Sequence, residues 1–118
     1  MANGIVTVEE YVDNARGNMY KFLFWEIRKR ILEEFKTGVE EYAVFKKYVV
    51  YKKISDFASL RLKPEGLIVE TKNPRFLSFG GPHPDDFGYS LDYQMNVIND
   101  SNLDEVMRVI RDSYAQTR

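Results

Sequence analysis

The first segment with helical periodicity lies near the start of the chain. Thr7 and Glu10 have the spacing of a capping box, in which a threonine oxygen accepts from the third helical N–H group and the glutamate reaches back. This arrangement predicts a short amphipathic helix that begins at Val8 and that Gly17 closes. Its apolar residues fall at i, i+3, i+4 and i+7, which is one face of a helix: Val8, Tyr11, Val12 and Ala15.

Two further segments share this periodicity. A longer helix is predicted from a cap at Asn18 to about Lys36, with Gly38 as its stop. Its apolar face comprises Tyr20, Leu23, Phe24, Ile27, Ile31 and Phe35. A terminal helix is predicted after the N-cap candidates at residues 100–102, and its apolar face comprises Leu103, Val106, Met107, Ile110 and Tyr114.

Between the second and third helices the pattern is that of strands. Residues 39–53 are rich in β-branched and aromatic residues without helical spacing, which predicts one or two strands. Residues 57–62 and 67–72 flank the sequence Lys-Pro-Glu-Gly, which is typical of a hairpin turn. Residues 89–98 alternate apolar with mostly polar side chains and predict a half-buried antiparallel strand. The glycines and prolines of residues 74–88 predict an irregular loop.

The order of helices, strands and helix, with one polar strand face, predicts an α+β fold. We expect an antiparallel sheet of about four to five strands, with two N-terminal helices and one C-terminal helix packed mainly on one face. The chain has 118 residues, the size of a single domain, so residues 1–118 are predicted to be one domain. A hydrophobic fraction of 44%, with 14% aromatic residues, supplies a core and excludes a disordered chain.

Charge and cysteine content exclude several functions. Seventeen basic and eighteen acidic residues leave a formal net charge of -1, so nucleic acid can be held only by a local patch. The absence of cysteine excludes disulfides, thiolate metal sites and iron–sulfur clusters. No apolar run approaches the roughly 20 residues that span a bilayer, and the first residues have no signal-peptide pattern. We therefore expect a soluble, cytoplasmic protein with no cofactor and no membrane partner.

Two segments carry a family resemblance. Residues 39–57 contain Val-Glu-Glu-Tyr, then Lys-Lys-Tyr-Val-Val-Tyr-Lys-Lys, then Asp-Phe-Ala, and residues 102–114 run from Asn-Leu-Asp-Glu-Val-Met through Ile-Arg to Ser-Tyr. They resemble the signature and the terminal helix of a family of small domains of unknown function, loosely labelled a predicted transport protein. In that family the domain stands alone or is appended to larger proteins of the restriction-nuclease type. The resemblance implies an accessory or binding role and brings no activity with it.

The first candidate site imitates a metal-dependent nuclease. Asp56 followed by Glu70 and Lys72 has the order of an acidic residue and a Glu-x-Lys motif, and pairing of the hairpin strands brings them close. Two carboxylates then hold Mg²⁺ while the lysine orients a water. Against this, Ser55 replaces the proline that often precedes the aspartate, and residues 74–88 form a loop where such nucleases have a core helix. A charged, solvated hairpin face is the favoured interpretation.

The predicted loop contains other candidates. His83 with Asp85 and Asp86 has the chemistry of a metal ligand set or a base, but three ligands so close in sequence rarely complete a coordination shell. A solvated turn is therefore favoured, and no bound metal is expected. Four residues either line a ligand or anchor the loop to the domain: Arg75, Phe76, Phe79 and Phe87.

A basic, aromatic segment is the candidate nucleic-acid patch. Alternation places Lys46 and Lys52 on one side of a strand and Lys47 and Lys53 on the other. The alternative, which we favour, is that these lysines protect a sheet edge from pairing with other chains. The segment is interleaved with aromatic residues and flanked by further basic ones: Tyr48, Tyr51, Arg61, Lys63, Arg28, Lys29 and Arg30.

Phe22 and Trp25 lie off the main apolar face of the second predicted helix. They either form a partner surface, such as a homodimer contact, or seat the N-terminal helix. Taken together, these observations predict an accessory or binding domain for a protein or a nucleic acid, more consistent with binding than with catalysis. The alternative is a metal-dependent nuclease that uses Asp56, Glu70 and Lys72.

Overall fold

In a computed structural model, residues 4–82 and 91–117 are described, and they form an α+β fold with three α-helices and one antiparallel sheet of seven strands. The helices are α1 (Val8–Asn14), α2 (Lys21–Glu34) and α3 (Leu103–Ala115), the last preceded by a 3-10 turn at Asp100–Asn102. The strands are β1 (Ile5–Val6), β2 (Glu40–Val44), β3 (Tyr48–Lys52), β4 (Asp56–Lys63), β5 (Gly66–Thr71), β6 (Gly81–Pro82) and β7 (Tyr93–Val97). Their spatial order is β1-β2-β3-β4-β5-β7-β6.

The start of α1 confirms the predicted capping box. Thr7 Oγ1 accepts from the Glu10 amide at 3.0 Å, and the Glu10 carboxylate accepts from the Thr7 amide at 2.9 Å. The start of α2 differs from the prediction by two residues, because the N-cap is Tyr20 rather than Asn18. Asn18 Oδ1 accepts from the amide of Tyr20 at 2.8 Å, so its side chain stabilises the turn before the helix, and α2 begins only at Lys21.

One hydrophobic core joins the helices to the sheet. Val49, Leu60, Val69 and Met95 are directly opposite one another on β3, β4, β5 and β7, and all four are fully buried. The helical residues in the same core repeat every three or four positions, as the sequence predicts, and include Leu23, Phe24, Ile27, Ile31, Val106, Met107 and Ile110. The residues that alternate with the sheet members of this core form the second face of the sheet.

A β-bulge at Phe57 connects α3 to the sheet. Tyr51 pairs with Ala58 while Lys52 pairs with Asp56, so Phe57 is an extra residue on β4. The hydroxyl of Ser113, which is fully buried on α3, donates to the Phe57 carbonyl at 2.6 Å. This hydrogen bond satisfies a buried carbonyl at the bulge and fixes α3 there.

The strand count corrects the sequence prediction. The predicted segment at residues 39–53 contains two strands, and the predicted hairpin of β4 and β5 is confirmed. The extra strands are short edge strands: β1 pairs with β2, and Gly81–Pro82, expected to be irregular, pairs with Gln94 and Tyr93 of β7. Proline is tolerated there because an edge strand has one unpaired side. Residues 89 and 90 of the predicted last strand lie outside the described residues.

No helix within residues 4–82 and 91–117 has both the length and the apolar character that a membrane crossing requires.

Candidate functional site

A row of polar side chains crosses the second face of the sheet. Ser59, Glu70 and Gln94 are paired across β4, β5 and β7. The Ser59 hydroxyl donates to the Glu70 carboxylate at 2.5 Å, and Arg61 Nη2 donates to it at 3.1 Å. Glu70 is only 1% exposed, so its carboxylate is stabilised by partners within the protein, Ser59 and Arg61 among them, rather than by water.

Arg61 links this row to the neighbouring strand. Its guanidinium carbon lies 5.4 Å from the centre of the Tyr48 ring on β3. Its Nε is buried and makes no hydrogen bond in the described part of the chain. Arg61 is therefore held in place by its ion pair with Glu70 and by the Tyr48 ring, and Glu70 largely compensates its charge.

The structure separates two members of the nuclease candidate. Asp56 begins β4, paired with Lys52, whereas Glu70 pairs with Ser59, three residues further along β4, or about 10 Å of strand. The amide of Lys72 donates to the Ser113 hydroxyl at 2.9 Å, just beyond the end of β5. Residues 4–82 and 91–117 contain no group of three or more acidic or histidine side chains placed to hold a metal ion.

Part of the predicted loop is fastened to α3. Arg75 forms an ion pair with Asp112 at 2.8 Å, and the Arg108 guanidinium lies 3.8 Å from the centre of the Phe76 ring. Phe79 is 42% exposed. Four of the loop candidates, His83, Asp85, Asp86 and Phe87, lie outside the described residues.

A cleft of about 400 Å³ lies under this part of the loop. Tyr93 closes one side of it, and its hydroxyl accepts from the Gly80 amide at 2.8 Å. A side chain at Gly80 is excluded, because a Cβ atom there would lie 2.3 Å from the Gln94 carbonyl oxygen. The other lining residues are Asn73, Pro74, Phe76, Leu77 and Ser78.

A second cleft, of about 460 Å³, lies between α2 and α3. Arg30 reaches across it to Asp104 at 3.2 Å, and Arg111 pairs with Glu34. The Arg111 guanidinium lowers the pKa of the Glu34 carboxyl by hydrogen bonding to it. These ion pairs connect the two helices and leave the charges of the cleft largely compensated.

The lysines of the predicted basic patch are divided between the two ends of β3. Lys46 and Lys47 lie in the turn between β2 and β3. The prediction from alternation that Lys46 and Lys52 share one strand face is therefore wrong. Lys52 is opposite two acids, Glu40 and Asp56. Lys53 Nζ donates to the Tyr114 hydroxyl at 2.8 Å. Lys53 is thus engaged within the domain, and Lys52 lies between two acids on the neighbouring strands.

The edge-protection interpretation of these lysines is wrong. Strand β3 is hydrogen-bonded to β2 on one side and to β4 on the other, so it lies inside the sheet. An interior strand has no free row of backbone groups to protect.

The flanking arginines of α2 also have other roles. Arg28 binds the Glu41 carboxylate through two hydrogen bonds of 2.8 and 3.0 Å, and the Tyr51 hydroxyl donates to the same carboxylate at 2.7 Å. Burial, reinforced by Glu41, raises the pKa of Tyr51 well above its ordinary value. This partly buried network fastens α2 to β2 and β3.

Another group of basic side chains is brought together at the end of the sheet opposite to that of Lys52 and Lys53. The Tyr11 hydroxyl accepts from the Leu62 amide at 2.9 Å, which brings the middle of α1 to the end of β4. The Asn18 side chain donates to the Lys63 carbonyl at 3.1 Å, which fixes the loop between α1 and α2 beside the turn between β4 and β5. We call the resulting surface the turn end, and its basic members are Arg16, Lys46, Lys47 and Lys63.

These four basic residues have no ion pair with any residue in the described ranges. The turn end also exposes an aromatic side chain, since Phe45 is 43% exposed in the turn between β2 and β3. A cleft of about 370 Å³ adjoins Arg16, and its other lining residues are Asn14, Ala15, Gly17, Asn18, Leu62 and Pro64.

Phe22 and Trp25 have different environments. Trp25 packs edge-on against Phe24 with ring centres 5.3 Å apart, whereas Phe22 is 59% exposed. The N-terminal helix is seated by Phe24, on which the Tyr11 ring is stacked at 6.0 Å. Phe22 therefore remains available for a partner surface, and Met19, three residues earlier in the chain, is 76% exposed.

Comparison of the chain with protein-family models, with curated proteins and with solved structures gave no match. The family resemblance of residues 39–57 and 102–114 therefore stays a prediction.

Proposed function

We propose that this protein is an accessory binding domain without catalysis of its own, and that it binds nucleic acid through the turn end. The observation that carries the proposal is the grouping of Arg16, Lys46, Lys47 and Lys63 at one end of the sheet, each without an ion pair to another described residue. Basic side chains that are not paired with acids are the groups that contact phosphates.

The local charge differs from that of the whole chain. The formal net charge is -1, but at the other end of β3 the acids Glu40 and Asp56 stand opposite Lys52. The segments that carry the basic residues of the turn end, residues 13–18, 45–47 and 63–66, contain two acids, Asp13 and Glu65, and four basic residues. The excess of positive charge is therefore local, which is the form of binding that a nearly neutral chain permits.

Four phosphate contacts imply weak, salt-sensitive binding. Each contact contributes roughly 0.7 to 0.9 to the slope of log affinity against log salt, so four contacts give a slope of about −3. We expect dissociation constants of about 10⁻⁴ to 10⁻⁶ M, typical of nonspecific association. Raising the salt concentration fourfold should weaken binding by roughly 50- to 150-fold.

We expect Lys46→Glu combined with Lys63→Glu to reduce the affinity at least about tenfold and to lower the salt slope by about 1.5, because two phosphate contacts are lost. Fluorescence anisotropy of labelled oligonucleotides at several salt concentrations measures both quantities. The matched control is Lys29→Glu with Lys36→Glu, two exposed lysines of the α2 region that change the net charge equally. Equal losses in the two double variants, or no binding at low salt, would refute the proposal.

A protein partner is the second candidate function. Met19, just before α2, and Phe22, in its first turn, are 76% and 59% exposed. Exposed large apolar side chains of this kind favour a contact with another protein or with a second copy of the chain. Sedimentation equilibrium of the wild type and of Phe22→Ser distinguishes these cases, since only a homodimer would dissociate on the substitution.

The nuclease alternative predicts that the protein cleaves nucleic acid when a divalent metal is present, and we do not expect such cleavage. The purified protein should not cleave single- or double-stranded substrates with Mg²⁺ or Mn²⁺, because Glu70 is held by Ser59 and Arg61 and is separated along β4 from Asp56. A gel-based cleavage assay tests this expectation. Cleavage that Lys72→Ala and Glu70→Ala both abolish would establish the nuclease instead.

A further inference from the structure

We propose that the turn end is a site for single-stranded nucleic acid, in which one base stacks on Phe45 while Lys46 and Lys63 contact the flanking phosphates. This inference rests on the proposed function and specifies its ligand. Three observations support it: the backbone conformation of Lys46, the exposure of Phe45 and the cleft beside Arg16.

Lys46 has a left-handed backbone conformation, with φ of 64°. It is the only residue other than glycine with a positive φ among the described residues. Glycine adopts this conformation without a steric penalty, whereas a lysine there is strained. Strained residues that persist in turns are concentrated at functional sites, where the side chain has a use that offsets the lost stability.

That side chain places its ammonium group over an exposed aromatic ring. Lys46 Nζ is 5.5 Å from the centre of the Phe45 ring, and Phe45 is 43% exposed. The Phe45 amide donates to the Gly4 carbonyl at 2.8 Å, which fixes the backbone that carries the ring. A ring held in this way is a stacking platform for a base that takes the place of the ammonium group, which then remains within reach of the adjoining phosphate.

The arrangement extends over three adjacent strands. Phe45 follows β2, Lys47 precedes β3 and Lys63 ends β4, so Phe45 and Lys63 are separated by two strand spacings, or about 10 Å. Beyond Lys63 lies the cleft beside Arg16, with a volume of about 370 Å³. This volume is within the range of small-ligand pockets, roughly 300 to 1,000 Å³, so the cleft has room for a base.

The need for accessible bases favours a single strand over a duplex. Stacking on Phe45 and entry into the cleft both require a base that has left its neighbours, whereas the bases of a duplex remain stacked inside the helix. Contacts by lysine alone would not discriminate between single-stranded and duplex nucleic acid, because both carry phosphates.

The first test compares Phe45→Ala with Phe79→Ala. The two phenylalanines are equally exposed, at 43% and 42%, but Phe79 lies in the loop beside α3. Stacking on an aromatic ring is worth roughly 1 to 3 kcal/mol per base, so Phe45→Ala should weaken binding of oligo-dT and oligo-U by about 5- to 150-fold. Phe79→Ala should leave it unchanged, and Phe45→Trp should retain it.

The second test uses Lys46→Gly. Because glycine relieves the backbone strain, we expect the variant to have a higher melting temperature than the wild type while its affinity for oligo-dT falls at least threefold. Partial unfolding would lower the stability and the affinity together. A variant that is more stable but binds less tightly therefore cannot be explained by partial unfolding. A variant that is less stable, or that binds as well as the wild type, would overturn the assigned role of Lys46.

The two tests also separate this inference from the proposed function. If oligo-dT and a duplex of equal length bind alike, and both depend on Lys46 and Lys63 but not on Phe45, nucleic-acid binding holds and the single-strand site is wrong. If neither oligonucleotide binds the wild type at low salt, both proposals are wrong. Tighter binding of the single strand that is lost in Phe45→Ala alone establishes the site.

Discussion

Replacing Phe24 by alanine is expected to lower the free energy of unfolding by about 3–5 kcal/mol. Phe24 is fully buried in α2, where the Tyr11 ring is stacked on it at 6.0 Å and Trp25 packs against it edge-on at 5.3 Å. The substitution removes the contact by which α1 is seated and leaves a cavity that these rigid rings fill only in part. Urea denaturation followed by circular dichroism measures the loss.

Phe22 provides a matched control in the same helix. It is the same residue type, two positions away, and 59% exposed. Phe22→Ala should change the free energy of unfolding by less than about 0.5 kcal/mol, because surface substitutions remove little buried area. Similar losses at the two positions would contradict the orientation of α2 described above.

The second large effect is expected at Arg61. Arg61→Met should lower the free energy of unfolding by about 3–5 kcal/mol, because it removes a cation that binds the buried Glu70 carboxylate. Part of the loss should be recovered in the double variant with Glu70→Gln, whose neutral amide does not need a cation. Denaturation of the two single variants and the double variant gives the coupling energy.

Arg111→Met is the control for this experiment. Arg111 also pairs with a glutamate, Glu34, but the side chains in that pair are 55% and 33% exposed. Water solvates an exposed carboxylate that loses its partner, so the expected loss is under about 1 kcal/mol. If Arg61→Met costs no more than Arg111→Met, the interaction of Arg61 with Glu70 contributes little to the fold.

The helices and the central hairpin could be predicted from the sequence because their signals are local. Thr7 and Glu10 define the start of α1, and the Lys-Pro-Glu-Gly turn fixes the pairing of β4 with β5. The two-residue strands β1 and β6 could not be predicted, because two residues show no alternation. Their pairing is decided by strands that are distant in sequence.

The candidate site was predicted only in part. Lys46, Lys47 and Lys63 stand out as basic residues, but so does Lys52, which the strand register places opposite Glu40 and Asp56. The acids across a strand become visible only when the register is known. A sequence pattern therefore shows which residues are basic, but it does not show on which surface their charge remains uncompensated.

Arg16 and Phe45 were missed for different reasons. Arg16 reaches the turn end because Tyr11 and Asn18 bind the backbone of β4, which is a tertiary effect without a local sequence signal. Phe45 lies within a run of β-forming residues and is therefore predicted as part of a strand. The two lysines that follow it are poorly suited to a strand interior and indicate a turn. An aromatic residue directly before a polar turn is a signal that could have identified it.

The sheet topology also determines how quickly its parts can assemble. Strands β2 to β5 follow one another with connections of only two or three residues, so their pairing requires the closure of short loops. Strand β7 joins β5 only after residues 72–92 have been bridged, and β1 joins β2 across two helices. Because closing long loops costs entropy before any contact forms, we expect the meander of β2 to β5 to form first and β7 to dock late in folding. The pairing of Glu70 with Gln94 is then expected among the last steps, so the second face of the sheet is completed late in folding.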